Sequence, residues 1–111
     1  MITTKNNTMK KSELRALLEW FYDDKYRDLR GETWLRSGDW RPDEDINQLE
    51  LLKNKFLKDA NITRIQYDKM NSGWWEASYC VGVSDDVVIV EGKEIKDCDL
   101  EAILQYINRS K

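Results

Sequence analysis

The chain contains no histidine and a single proline, Pro42. Histidine is the one side chain that titrates unperturbed near neutral pH, so its absence excludes Ser-His-Asp and Cys-His nucleophile systems. Two cysteines, Cys80 and Cys98, stand far apart without companions. That is too few for a zinc site, which needs paired ligands, and it fits a reducing compartment better than a disulfide framework. The five glycines are scattered among turns, and no phosphate-binding loop or dinucleotide fingerprint is present. No apolar run approaches the roughly 20 residues of a membrane span, and the N-terminal residues lack the apolar stretch of a signal peptide. One-sided charge is missing too: 18 basic residues face 21 acidic ones, for a net charge of −3. A nucleic-acid binder usually carries a basic stripe; here "KNNTMKK" is basic but short. These absences lead to the expectation of a cytoplasmic protein without cofactor, metal, membrane or nucleic-acid partner, and without enzymatic activity.

What is present is enough for one domain. The 111 residues allow a core that buries roughly 65% of the unfolded surface. Five tryptophans, at positions 20, 34, 40, 74 and 75, serve either as core filling or as anchors for a partner. Residues 1–11 are expected to form a flexible N-terminus, and 12–111 a single domain. Ser12 is a candidate N-cap for a helix with Leu14, Leu17, Leu18 and Phe21 on its apolar face. That helix is expected to run to about Leu29, with Gly31 as its stop.

The stretch "SGDWRPDEDINQLELLKNKFL" (37–57) crowds a tryptophan, the proline and four acids ahead of an amphipathic run. Pro42 suits the lead-in to a helix, and Asp43, Glu44 and Asp45 meet the positive end of its dipole. Asp45 with Gln48 fits a capping box. Ile46, Leu49, Leu52, Phe56, Leu57 and Ala60 share one face, with Lys53 intruding and able to snorkel. Helix initiation accounts for the proline and most of the acids, but not for Asp39 or Trp40. Three strands follow. "ITRIQYD" turns Thr63, Ile65 and Tyr67 one way, and "WWEASYCVGV" turns Trp75, Ala77, Tyr79, Val81 and Val83 one way. "VVIV" (87–90) is apolar on both sides, which predicts a strand covered on both faces. A last helix begins near Asp97 or Asp99 and carries Leu100, Ile103, Leu104 and Ile107. Short turns make the sheet a meander. The expected class is therefore α+β: a three-stranded antiparallel meander with helices packed on it as α/β/α layers.

The segments "WRPDEDINQLELLKNKFL", "GWWEASYCVG" and "DLEAILQYI" together resemble the phage ABA sandwich domain family over about residues 38 to 108. In that family a Trp-x-Pro-x-x-Asp-like entry opens a helix, and a Gly-Trp strand and a closing helix follow. The N-terminal helix and "DDKYRDLRGETWLRSGDW" depart from the pattern beyond the tryptophan. The resemblance implies a phage or mobile-element origin and an α/β/α arrangement, and it brings no catalytic residue.

Carboxylates are the remaining source of chemistry. Asp39, Asp43, Glu44 and Asp45 have the oxygen donors for a hard cation, but EF-hand spacing and its glycine are missing. Asp68 and Glu76, from neighbouring strands, could act as an acid and base pair, although acids at solvent-facing strand positions are common. "DDKYRD" with Arg27, Arg30 and Arg36 reads as a solvated, salt-laced surface. Residues 23–45 interleave Tyr26, Trp34 and Trp40 with charges of both signs, which either cap the core or form an interface. The leading expectation is a protein-interaction module, for example an inhibitor of a host CRISPR or restriction effector. Its partner-binding residues would be Trp34 and Trp40 as anchors, with Tyr26, Arg36, Asp39, Asp43, Glu44 and Asp45 facing a basic protein surface. The alternatives are a self-associating or docking module and a small carboxylate-dependent enzyme.

Overall fold

The structure is a computed structural model that describes residues 9–22, 37–82 and 86–109. Within them the chain runs α1 (Lys11–Tyr22), α2 (Ile46–Asp59), β1 (Ile62–Lys69), β2 (Trp75–Val81), β3 (Val87–Gly92) and α3 (Ile95–Arg109). The strands form one antiparallel sheet in the order β1-β2-β3. The class is α+β, with the expected meander.

Each helix start is fixed by a carboxylate. At α2 the Asp45 side chain accepts from the Asn47 and Gln48 amides. At α1 and α3 the device is different. The Lys10 amide donates to the Glu13 carboxylate at 3.0 Å, and the Glu94 amide to the Asp97 carboxylate at 3.1 Å. In both, an acid in the first turn reaches back to the residue ahead of the helix, which is one half of a capping box. Ser12 is therefore inside α1 and is not its cap, and α3 starts two residues before Asp97. The expected extension of the first helix to Leu29 lies outside the described residues.

Strand alternation sends Ile65 and Tyr67 of β1, Ala77 and Tyr79 of β2, and Val88 and Val90 of β3 to one face. On that face Phe56 of α2 meets the Tyr79 ring edge-on at 5.7 Å. The N-terminus of α3 approaches Gly92 so closely that a Cβ there would lie 2.8 Å from the Cys98 nitrogen. Helix α1 packs on α2 and α3 instead of on the sheet, with Trp20 edge-on to Tyr106 at 6.2 Å. Leu17, Leu52, Phe56, Tyr79, Cys98 and Ile103 fill the centre of the core. Burying each of the large apolar ones is worth about 1.5–3 kcal/mol.

Three expectations are corrected here. Among the described residues all three helices lie on one side of the sheet, so the layers run sheet, then α2 with α3, then α1, and not α/β/α. Correspondingly, "VVIV" is covered on one face only: Ile89 is 58% and Val87 47% exposed. Thr63 also does not share a face with Ile65. The register shifts between Ile62 and Arg64, and this bulge brings Ile62 to the core side and leaves Thr63 exposed, its hydroxyl 3.4 Å from the Cys80 carbonyl.

Candidate functional site

Three groupings of polar residues compete for a functional role. The first is the acidic stretch around Pro42, and its own fold consumes most of it. Trp40 is 1% exposed, and its indole N–H donates to the Leu14 carbonyl at 2.9 Å. It ties α1 to the entry of α2. Asp43 is 2% exposed and takes both arms of Arg41, at 3.0 and 2.7 Å. Its carboxylate also accepts from the Met9 amide at 3.3 Å, and its carbonyl from the Lys96 ammonium at 3.1 Å. The hydrogen bonds to the Asp43 carboxylate raise the Arg41 pKa from its ordinary value. Gln48 does not close a box with Asp45. Its amide instead bridges the Arg41 N–H and the Asp39 carbonyl, at 2.7 and 2.6 Å.

Trp40 and Asp43 are thus core residues and not surface anchors, and Asp45 is a helix cap. Asp39, bound to the Ser37 hydroxyl at 2.9 Å, and Glu44, 3.0 Å from Arg41, remain exposed. Tyr26, Trp34 and Arg36 lie outside the described residues. Residues 9 and 10, expected to be part of a flexible terminus, hold the Asp43 contact and the α1 cap.

The second grouping escapes sequence reading because its members come from four elements. Asp99 of α3, 3% exposed, accepts from Tyr67 of β1 and Tyr79 of β2 at 2.7 and 2.6 Å. Lys53 of α2 sits 3.4 Å from the other carboxylate oxygen and 3.1 Å from the Tyr67 hydroxyl. Burial, reinforced by the bond to Asp99, raises both tyrosine pKa values. For Lys53 burial pulls downward, but Tyr67 and Asp99 outweigh it and the net shift is upward. Among the described residues no buried side-chain nitrogen or oxygen lacks a partner. A fully satisfied buried network of this kind specifies packing, and it offers no free group to a substrate.

The third grouping is the sheet face that no described helix covers. Cross-strand partners share a face, so the register lays out three rows: Arg64, Cys80 and Val87; Gln66, Ser78 and Ile89; Asp68, Glu76 and Glu91. The last row aligns three carboxylates directly across all three strands. Like charges in directly opposite positions destabilise a sheet. Asp68 accepts from the Gln66 amide at 3.1 Å, while neither Glu76 nor Glu91 has a hydrogen-bond or ion-pair partner among the described residues. The Asp68 and Glu76 pair singled out from sequence is therefore brought together, and Glu91 joins it, which only the β2-β3 register could reveal. Among the described residues no group of three or more Asp, Glu, His or Cys is arranged to hold a metal ion.

A groove of about 370 Å³ opens at one end of the core, lined by Phe56, Ala60, Ile62, Val88, Ala102 and Tyr106 among others. Asp86, Gln105 and Arg109, all exposed, also line it. No helix among the described residues is long and apolar enough to cross a membrane. No protein-family model, no curated protein and no solved structure matches this chain.

Proposed function

We propose that the chain is a non-enzymatic protein-interaction module whose open sheet face docks on a basic surface of another protein. One observation carries this reading: the carboxylate row Asp68, Glu76 and Glu91 across three strands, with no ion-pair partner among the described residues, beside the exposed Ile89 and Val87. A row of facing like charges costs stability in the free protein. Cationic side chains from a partner would relieve that repulsion, and the apolar row next to it would supply desolvated contact. Of the acids first suspected, Asp43 and Asp45 are engaged within the fold and Glu44 is paired with Arg41, which leaves Asp39 alone exposed without a counter-charge among the described residues, so the basic-partner expectation moves to this face. Its specific form is an inhibitor from a phage or mobile element that covers a basic working surface of a host defence effector such as a CRISPR or restriction protein. The acidity of the face supports that form because nucleic-acid-handling surfaces are basic.

The test is titration of a short arginine-rich peptide into the protein over a range of salt. Affinity should fall steeply with salt, and Glu76→Lys/Glu91→Lys should weaken it by roughly tenfold. Equal binding by the wild type and this variant would remove the open face from consideration.

A further inference from the structure

The two edges of the sheet are built differently. The edge strand β1 carries a bulge between Ile62 and Arg64 and the charges of Arg64, Asp68 and Lys69. Bulges and charges are the devices that keep an edge from pairing with another chain. β3, the other edge, has none of them through Val87, Val88, Ile89 and Val90. It contains no proline and no lysine, its register against β2 is unbroken, and it exposes Val87 and Ile89. Its one charge is Glu91, at the end of the carboxylate row. An edge strand presents a line of N–H and C=O groups able to bind a further strand.

Building on the proposed docking of a basic partner, we infer that β3 receives an extended segment of that partner as a fourth, antiparallel strand. The three rows of the open face prescribe its sequence. Side chains of the added strand that share this face fall beside Glu91, Ile89 and Val87 in turn. The segment therefore reads, from its N-terminus, basic, any, apolar, any, apolar. The basic residue meets Glu91 and lies within diagonal reach of Glu76.

Charge decides against a second copy of this chain as the occupant. Two β3 strands pairing antiparallel about Ile89 would set Glu91 of each copy beside the Asp86 end of the other, with no cation within either strand to offset the two acids. The chain also has a net charge of −3. A six-residue edge by itself is moreover far short of the roughly 1,000 Å² that a specific dimer needs. A basic strand avoids the repulsion and brings the rest of its own protein onto the open face.

The experiment uses the whole protein and a synthetic peptide alternating threonine with arginine, isoleucine and valine in that order. Binding is measured by titration, and backbone amide exchange reports on β3. The inference expects slowed exchange of β3 amides on binding. It expects about fivefold weaker binding to Glu91→Lys, restored when the peptide's arginine becomes glutamate. It also expects loss of binding when the backbone amide of the peptide's isoleucine is N-methylated, because Val87, Ile89 and Glu91 turn their backbone groups to the free edge and the residue opposite Ile89 must donate to the ladder. Glu91→Lys lies at the strand end on an exposed site, and its fold is checked by circular dichroism. Binding that tolerates the N-methyl group and leaves β3 exchange unchanged, yet falls in Glu76→Lys/Glu91→Lys, overturns strand addition and keeps open-face docking. Concentration-dependent protection of β3 without peptide overturns it in favour of a second copy. No binding of this peptide, and none of the arginine-rich one, overturns both readings.

Discussion

Two sets of carboxylates, one clustered along the chain around Pro42 and one scattered over three strands, behave in opposite ways. Around Pro42, Asp43 and Asp45 each have a defined structural job. Asp43 clamps Arg41 and the Met9 amide, and Asp45 caps α2. On the open sheet face, Glu76 and Glu91 stand opposite each other with no ion pair. An acid enclosed and fully bonded stabilises the fold and is unavailable to a partner. An acid that faces its like across an uncovered sheet, as half-buried Glu76 and exposed Glu91 do, costs stability and remains available. Density of charge along the chain pointed to the first region, and the pairing state of each carboxylate points to the second.

The comparison breaks most visibly at Trp40. If the Pro42 region is structural, Trp40→Ala removes a buried ring and the bond to Leu14, and thermal or urea unfolding should show a loss of about 4 kcal/mol. A protein that stays as stable would return Trp40 to the surface. Asp99→Ala should cost about 3 kcal/mol in the same assay, because it strands two tyrosine hydroxyls and the Lys53 charge in the core. Asp43→Ala comes next, at about 2 kcal/mol. It sits below the usual cost of breaking a buried pair because Arg41 keeps access to water, and its peptide binding should match the wild type. Should it instead fold normally and lose the arginine-rich peptide, the two regions would have exchanged roles.

The core also has an alkaline limit. Burial pushes the Cys98 thiol from 9.0 up to about 11, so the unfolded chain loses that proton first. The corresponding stability is complete below pH 9.0 and is lost as pH rises through about 11. Tyr67, Tyr79 and Lys53, all shifted upward, act in the same direction from roughly pH 10. Urea midpoints should fall across this range, and less steeply from pH 9 in Cys98→Ala. A flat profile would mean that the thiol and tyrosines are not enclosed as described.

Much of the fold was legible because periodicity reports local burial. The face of α2 through Leu49, Leu52 and Phe56 and the alternation of Ala77 and Tyr79 in β2 appear directly in the sequence. Even so, Ile46, assigned to the α2 face, is 70% exposed, because it stands at the first turn beyond the reach of the core. The side on which helices pack was not legible. Val87 and Ile89 look as buried as Val88 and Val90 in "VVIV", and only the sheet's second face distinguishes them. The bulge at Thr63 left no mark, since threonine fits either face. The Asp99 network joins residues up to 46 positions apart, from Lys53, with no local pattern. The carboxylate row was half legible as Asp68 and Glu76, and Glu91 required a strand register that no single strand encodes.

The central claim is that the carboxylate row is a cost the free protein carries for a cationic partner. It is tested by the urea midpoint of Glu76→Gln/Glu91→Gln against wild type at low ionic strength, without and with saturating arginine-rich peptide. Without peptide the variant should be the more stable by about 0.5 kcal/mol or more. With peptide the order should reverse, because binding stabilises only the protein that binds. A variant that is no more stable alone, or that the peptide stabilises as much as wild type, would contradict the account.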